Sequence, residues 1–391
     1  MATASPIERS VGWALFGLLT LGSAAAIAAD VDVPSDRTSS AETTADPAAT
    51  DGADATTDGP RSFTIAASGE LLIHQSVADA AVTADGWDFS PMLASVAPIV
   101  AAADLAICHV ESPMSPDNKA LSYYPAFNVP NQLAQAIADT GYDTCSVASN
   151  HALDTGRNGV EGTLDALDEA GVRHAGMARS EGEAATPTVI DVNGVKVAHL
   201  SYAYGFNIGD PPADEPYLAN LIDEGAILSD AASAKAGGAE FVVVSLHWGT
   251  EYSATPDALQ TDLGPRLMGS DAIDLVIGTG AHVIQPVAAI GSEYLVYGLG
   301  NFLSNQAPES CTGCPPGTQD GVIIQLTVTE TDPGVFAVTD LAETSTWVDR
   351  TTYEVVPVLH DDGQRDQSLL SASADRTAAA LGAMGLTVPA S

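Results

Sequence analysis

The stretch "TCSVASNHALDTGRNGVEGTLDALDEAG" (Thr144–Gly171) decides the fold. Its opening, Thr144 to Ser149, is short and apolar and reads as a buried strand. Further on, Val160, Leu164 and Leu167 fall at helical spacing before a stop at Gly171. Between the two lies "ASNHALDTG" (Ala148–Gly156), which sets Asn150, His151 and Asp154 at the mouth of the strand. Strand, polar loop and helix in that order form the repeating unit of an α/β protein. A simpler reading of the loop is that Asn150 or Asp154 caps the helix by accepting a free backbone N–H.

The same alternation runs outward from this unit. "FTIAASGELLI" (Phe63–Ile73) and "DLAICHV" (Asp104–Val110) read as strands, and "NQLAQAIADTG" (Asn131–Gly141) as a helix. "VIDVNGVKVAHL" (Val189–Leu200) carries Asn193-Gly194 between alternating apolar residues, the signature of a hairpin. Then follow a helix around Leu221–Ala236, the strand "FVVVSLHW" (Phe241–Trp248), a helix around Pro256–Met268 and the strand "IDLVIG" (Ile273–Gly278). "EYLVYGLGNF" and "GVIIQLTVTE" add β structure near the end. The expectation is an α/β domain over residues 61–357, with mixed sheets and helices outside. Residues 358–391 read as a loosely attached tail with one possible helix, Asp366–Leu381.

The N-terminal 29 residues carry Arg9, an uncharged run from Val11 to Ala29, and small residues at Ala26 and Ala28. That is the form of a secretory signal peptide, and the run is also long enough for a retained membrane anchor. Either reading puts the remainder outside the cytoplasm, secreted or anchored at the cell surface. Residues 30–60, rich in Ala, Thr, Ser, Asp and Pro without an aromatic residue, read as a disordered acidic linker. The net charge of −38, from 51 acids against 13 bases, repels nucleic-acid phosphates and anionic lipid. Neither is expected as a partner, and contact with a membrane is expected only through an uncleaved N-terminal segment. Cys311 and Cys314, in a Pro/Gly-rich loop, suit a local disulfide, whereas Cys108 and Cys145 read as small core residues that adjacent strands could bring together.

Polar residues recur at strand ends. Five of the eight histidines follow apolar strands directly or closely: His74, His109, His151, His247 and His282. Carboxylates and amides accompany them at Glu70, Glu111, Asn150, Asp154, Glu251 and Asn301. In open α/β sheets the carboxyl ends of the strands converge on one edge, where ligands bind. Imidazole nitrogen together with carboxylate and amide oxygen suits Zn²⁺, Mn²⁺ or Fe²⁺, and two such ions can activate water between them. Each residue alone has a plainer account as a hydrogen-bonded loop residue, a cap or a solvated strand end. Five together are hard to attribute to caps and turns.

The ordered motifs "SGELLIH", "DLAICHVESP", "ASNHALDTG", "SLHWGTEY", "GTGAHVIQP" and "YGLGNF" resemble the CapA-like poly-γ-glutamate capsule biosynthesis family, over about Phe63–Asn305. The resemblance implies the calcineurin-like metallophosphatase fold, a four-layer αββα sandwich with a metal site at one sheet edge. It implies Glu70, Glu111, Asn150, His247 and His282 as metal ligands, His151 as a general acid and Asp154 as its orienting partner. His74, His109, Glu251 and Asn301 are left for substrate binding or for support behind the ligands. Departures from the family pattern accompany these matches. Glu70 stands for the usual aspartate, His109 for a common asparagine, and Thr279 and Gly280 where histidines are frequent, so that His109 could supply a new nitrogen ligand and, with His74, substitute for what is missing.

Two functions remain open on this basis. One is an extracytoplasmic metal-dependent hydrolase of phosphoester or amide bonds, using two divalent ions and acting on a cell-surface polymer or its precursors beside synthase or export subunits. The other is a non-catalytic polymer-binding or assembly component that uses the same groove. No P-loop, Rossmann fingerprint or G-x-S-x-G nucleophile motif is present in the sequence.

Overall fold

A computed structural model describes residues 59–391 other than 292, 362 and 364. The expected signal or anchor (1–29), and the expected linker up to residue 58, lie outside the described residues.

Two mixed sheets carry the fold. The first contains β1 (Ser62–Leu71), β4 (Leu105–Val110), β5 (Thr144–Ser146) and β6 (Arg173–Ala175), parallel to one another in that order. On its other side β14 (Asp320–Asp332), β15 (Val335–Val348) and β16 (Val355–Pro357) continue antiparallel, while β13 (Asn301–Leu303) pairs parallel with the end of β1. The second sheet runs β11-β12-β10-β9-β8-β7. Its strands are β7 (Thr188–Val192), β8 (Val195–Ala203), β9 (Phe241–His247), β10 (Leu275–Thr279), β11 (Val287–Ile290) and β12 (Glu293–Val296). A short separate hairpin joins β2 (Val82–Thr83) to β3 (Gly86–Trp87).

Side-chain alternation along the strands builds the layers, because successive residues of a strand point to opposite faces. Phe63, Ile65, Leu105 and Ile107 from the first sheet meet Val195, Val197, Phe241, Val243, Leu275 and Ile277 from the second in one apolar layer. Their neighbours Ala106 and Cys108 face outward onto Leu133, Ile137, Val160 and Leu164 of the helices Gln132–Thr140 and Arg157–Ala170. On the far side Val242, Val244 and Val276 pack on Ile227, Ala231, Leu263 and Leu267 of the helices Glu224–Ala236 and Ala258–Met268. The result is a four-layer αββα sandwich with mixed sheets. Asn193 and Gly194 both take positive φ, 53° and 80°, in the turn between β7 and β8, the conformation that a tight two-residue hairpin turn requires.

Three features differ from expectation. The segment after residue 357 is not a loose tail: its helix Gln367–Leu381 buries Leu370 and Leu381, and Arg376 pairs with buried Asp320. The long strand β15 has only a broken alternation on its exposed side, which hides it from periodicity. Asp154 does not cap the helix at Arg157, whose N-cap Gly156 makes no side-chain hydrogen bond. Both cysteine pairs are bonded, Cys311 to Cys314 and Cys108 to Cys145, the second because β4 and β5 set those two residues opposite each other.

Candidate metal centre

The strand parity that builds the inner layer also builds the site. His109 follows Leu105 and Ile107 on β4, and His247 follows Phe241, Val243 and Ser245 on β9, so both rings enter the space between the sheets at their carboxyl edge. The two rings stack with centroids 5.0 Å apart. Ser146, opposite His109 on β5, donates its hydroxyl to the Cys108 carbonyl (3.2 Å). Its oxygen therefore accepts Nδ1–H of His109 at 2.8 Å, which leaves a lone pair on His109 Nε2, 3.0 Å from His247 Nδ1.

Glu70 enters from an irregular end of β1, in register with His109 on one side and Asn301 on the other. Gly69 permits this crossing, since a Cβ there would lie 1.9 Å from the Gly300 carbonyl oxygen. The Glu70 carboxylate accepts the N–H of Gly280 and a hydrogen bond from His282 Nδ1. Gly280 has φ +104°, and a Cβ on it would lie 2.7 Å from the Trp248 carbonyl oxygen, so this position cannot carry a histidine without moving the backbone. Thr279 keeps only a hydroxyl near His247, at 3.4 Å.

Glu111 sits at the centre. Its carboxylate is fully buried and neither oxygen has a hydrogen-bond partner in the protein. Ligand atoms of His109, Glu111 and His247 lie within 4.8 Å of one another, as do those of Glu70, Glu111 and His282. One carboxylate is thus common to both trios. His109, expected either behind the ligands or as a new nitrogen ligand, joins the first trio because its parity on β4 turns it inward. Asn150 adds a third unpartnered oxygen, Oδ1, from the loop tied to Glu111 by the hydrogen bond of Ser149 Oγ to the Glu111 carbonyl (2.9 Å).

Electrostatics agree with a cation-receptive pocket. Burial raises the Glu111 carboxyl well above the usual range; His282 opposes this and Glu70 adds to it. Burial alone would raise Glu70 too, but the charge and hydrogen bond of His282, helped by His247 and the Gly280 N–H, hold it below its ordinary value. The two carboxylates in turn outweigh burial at His282 and lift it to about 10. Burial drives His109 down to about 3, with His282 and His199 adding to the effect, and places His247 well below its ordinary value. Two neutral imidazoles beside a carboxylate with no donor form a donor set for a borderline divalent ion. The oxygen-rich second trio suits a harder one. Buried carboxylate oxygens without partners are costly unless a cation completes them, so the residues present fit the metal.

His151 stands on the wall of the adjoining cleft. Its Nδ1–H donates to Asp154 Oδ2 (2.7 Å), which also accepts the N–H of Phe127 (2.7 Å). Nε2 accepts from the Asn207 amide at 3.3 Å, and the Phe127 ring meets the imidazole edge to face at 4.6 Å. The cleft measures about 980 Å³ and is lined by His74, His151, Glu251 and His282 among others. His74, lowered to about 4 chiefly by burial, packs on Phe127, and Glu251 is exposed at the rim. Asn301 lies beside Glu70, with its amide nitrogen donating to Gln306 (3.0 Å) and to the Thr318 carbonyl (2.9 Å), so it holds a loop behind the floor.

Sequence reasoning missed Ser146, Phe127, Asn207 and Tyr204, whose ring stacks on His247 at 6.0 Å. Only Tyr204, just past the end of β8, carried a positional signal. Tyr252, inside the fourth motif, takes φ 64° beside His282, itself at 58°; both are left-handed positions uncommon for such side chains.

Comparison with known proteins identifies the family. The capsule biosynthesis protein CapA of Bacillus anthracis is 29% identical over 178 residues, covering 45% of this chain and 43% of the relative. The PGA biosynthesis protein CapA of Bacillus subtilis is 27% identical over 217 residues, covering 53% and 52%. This chain thus spans about half the length of these curated relatives, or somewhat less. Among solved structures, the calcineurin-like phosphoesterase YfkN of Bacillus subtilis aligns with TM-score 0.44 and 16% identity, covering 82% of this chain and 97% of that one. The family model described as bacterial capsule synthesis protein PGA_cap matches residues 64–306, well over half of the chain and all of the metal-centre motifs, and the chain belongs to that family.

Proposed function

We propose that this chain is a metal-dependent hydrolase of a phosphoester or amide bond, working in the biosynthesis of a bacterial capsule or related surface polymer. One observation carries the reading: the fully buried Glu111 carboxylate has both oxygens free and belongs to two ligand trios at once. His109 and His247 would hold one divalent ion with it, and Glu70 and His282 a second, with Mn, Zn or Fe as candidates. Bound there, such ions supply the charge that polarises a scissile group and acidifies water.

The remaining work belongs to the chain's own side chains. Asp154 accepts from Nδ1 of His151, which fixes the ring and leaves Nε2 as the nitrogen that exchanges a proton with a leaving group. Asn207 steadies that nitrogen, and Phe127 covers one edge of the ring against water. Ser146 orients His109, and Gly280 N–H orients Glu70.

The same proposal places the domain outside the cytoplasm, with residues 1–29 as a cleaved signal or a retained anchor. The two disulfides support an oxidising compartment. Names of relatives that refer to capsule and PGA biosynthesis support polymer precursors and synthase or export subunits as partners. A second reading, a non-catalytic binding component, draws support from Thr279 and Gly280, which offer no imidazole.

Metal content of the full chain decides between them, measured by mass spectrometry beside a His247→Ala/His282→Ala variant. The hydrolase reading expects about two ions per chain, lost in the variant. On the native chain, His151→Gln then lowers kcat by about 10²–10⁴-fold on whichever phosphoester or γ-glutamyl peptide is turned over, with metal content unchanged. A native chain that takes up neither Mn²⁺ nor Zn²⁺ leaves the binding component.

A further inference from the structure

The cleft above the metal centre has a composition at odds with a polyanionic ligand. Among the described residues that line it there is no Lys or Arg. Among the same described residues the one carboxylate is Glu251, and Asp79 lies close enough to Tyr123 to act on its hydroxyl. With a net charge of −38 on the whole chain, a negatively charged polymer approaching this mouth is repelled at the rim.

Aromatic rings are present instead. Tyr124 is 75% exposed and Ile208 57% exposed, both at the cleft, and Tyr204 beside His247 is 45% exposed. Tyr123, Phe127 and Tyr252 continue the aromatic lining inward. Large apolar side chains left in water around one cleft mark a contact surface. The polar groups among them are uncharged amides and hydroxyls such as Gln75, Asn207 and Thr312, which both donate and accept. A cationic ligand is disfavoured from below, because divalent ions at the floor would outweigh the charges of Glu70 and Glu111.

Resting on the amide arm of the hydrolase reading for its metal-bearing floor, we propose that the cleft selects a neutral, hydroxyl-rich chain, an uncharged polysaccharide segment bearing N-acyl groups, with Tyr124 as a stacking platform at the entrance. Sugar rings present apolar faces to aromatic rings and hydroxyls to amides, which is the mixture on these walls. A γ-linked glutamate chain would place a carboxylate on every unit along walls whose described lining residues include no Lys or Arg, where the charge of Arg350 acts only on His74.

The test is binding by calorimetry to the full chain loaded with Mn²⁺. The probes are hexasaccharides of glucose, galactose and N-acetylglucosamine, and a γ-linked hexaglutamate, at low and high salt. At least one uncharged hexasaccharide is expected to bind, nearly independently of salt. Tyr124→Ala, at a position 75% exposed, should weaken it by about tenfold. Hexaglutamate should bind at least about tenfold more weakly and improve as salt screens the rim. Failure of all three saccharides, tightest binding by hexaglutamate, or indifference to Tyr124→Ala would each overturn the inference. Metal content measured on the same samples separates the two proposals. Metal without saccharide binding sinks only the specificity, whereas saccharide binding by a chain that holds no metal sinks the hydrolase and leaves the specificity standing.

Discussion

Two buried histidine groups lie between the same two sheets, and they differ in what their partners leave over. His199, on β8, continues the inward parity of Val195 and Val197, as His109 and His247 do on their strands. Both of its ring nitrogens are engaged, Nδ1 with Thr144 Oγ1 at 2.9 Å and Nε2 with Ser245 Oγ at 2.8 Å. At the strand ends, the Glu111 oxygens and Asn150 Oδ1 have no partner, and four charged or chargeable groups crowd around them. Burial and residue type are alike in the two places. Unspent hydrogen-bonding capacity on a fully buried carboxylate, where the ligand atoms of two trios converge, is what marks the second as a site.

The largest effect that could break this contrast concerns metal. Glu111→Gln should abolish metal uptake almost entirely, since Glu111 belongs to both trios, while His109→Ala should retain about one ion. Mass spectrometry of the full chain reads both. Were His199→Leu to lose metal as Glu111→Gln does, the distinction between the groups would collapse.

Next in size is the disulfide beneath both groups. Cys108 and Cys145 join β4 and β5, the strands that carry His109, Ser146 and Thr144. Replacing both by Ser should cost about 4 kcal/mol for a closed loop of this length. Denaturant unfolding with and without reductant reads it.

His199→Leu leaves the Thr144 and Ser245 hydroxyls without their ring partner and should cost about 3 kcal/mol with metal uptake intact. Thermal unfolding beside metal analysis sharpens the comparison in one experiment.

The smallest effect is a slope. Burial lowers His199 from 6.5 to about 3 in the folded protein. The unfolded chain therefore binds a proton that the native state refuses between those values. Stability from this group is complete above the unfolded value, and falls on acidification by up to about 1.4 kcal/mol per pH unit until it levels below the folded value. Unfolding curves from pH 7 to pH 4 should flatten by that slope in His199→Leu; an unchanged slope would show that other groups carry the acid sensitivity.

Much of this was legible in the chain. Strand parity and helical spacing gave the alternation around Thr144–Gly171, and the Asn193-Gly194 pair announced its hairpin, because these signals are local. His74, His109, His151, His247 and His282 were visible at strand ends for the same reason. Less visible was their ranking. His109 stood between a supporting residue and a new ligand until its neighbours on β1, β5 and β9 were in place. Asp154 looked like a cap until Phe127, from a loop without any pattern, brought its N–H to the carboxylate. Gly280 looked like erosion of a motif, and its backbone proves to hold Glu70 against a space that Trp248 closes.

By itself, then, the sequence determined which residues could meet: those at the carboxyl ends of apolar strands, with a chemistry of nitrogen and carboxylate donors suited to a cation. Only the tertiary structure decided which of them share a carboxylate, which are satisfied by a neighbour, and which are left with lone pairs free. The physical reason is that propensity and periodicity act within a few residues, whereas hydrogen-bond saturation is settled between strands more than a hundred residues apart, such as those bearing His109 and His247.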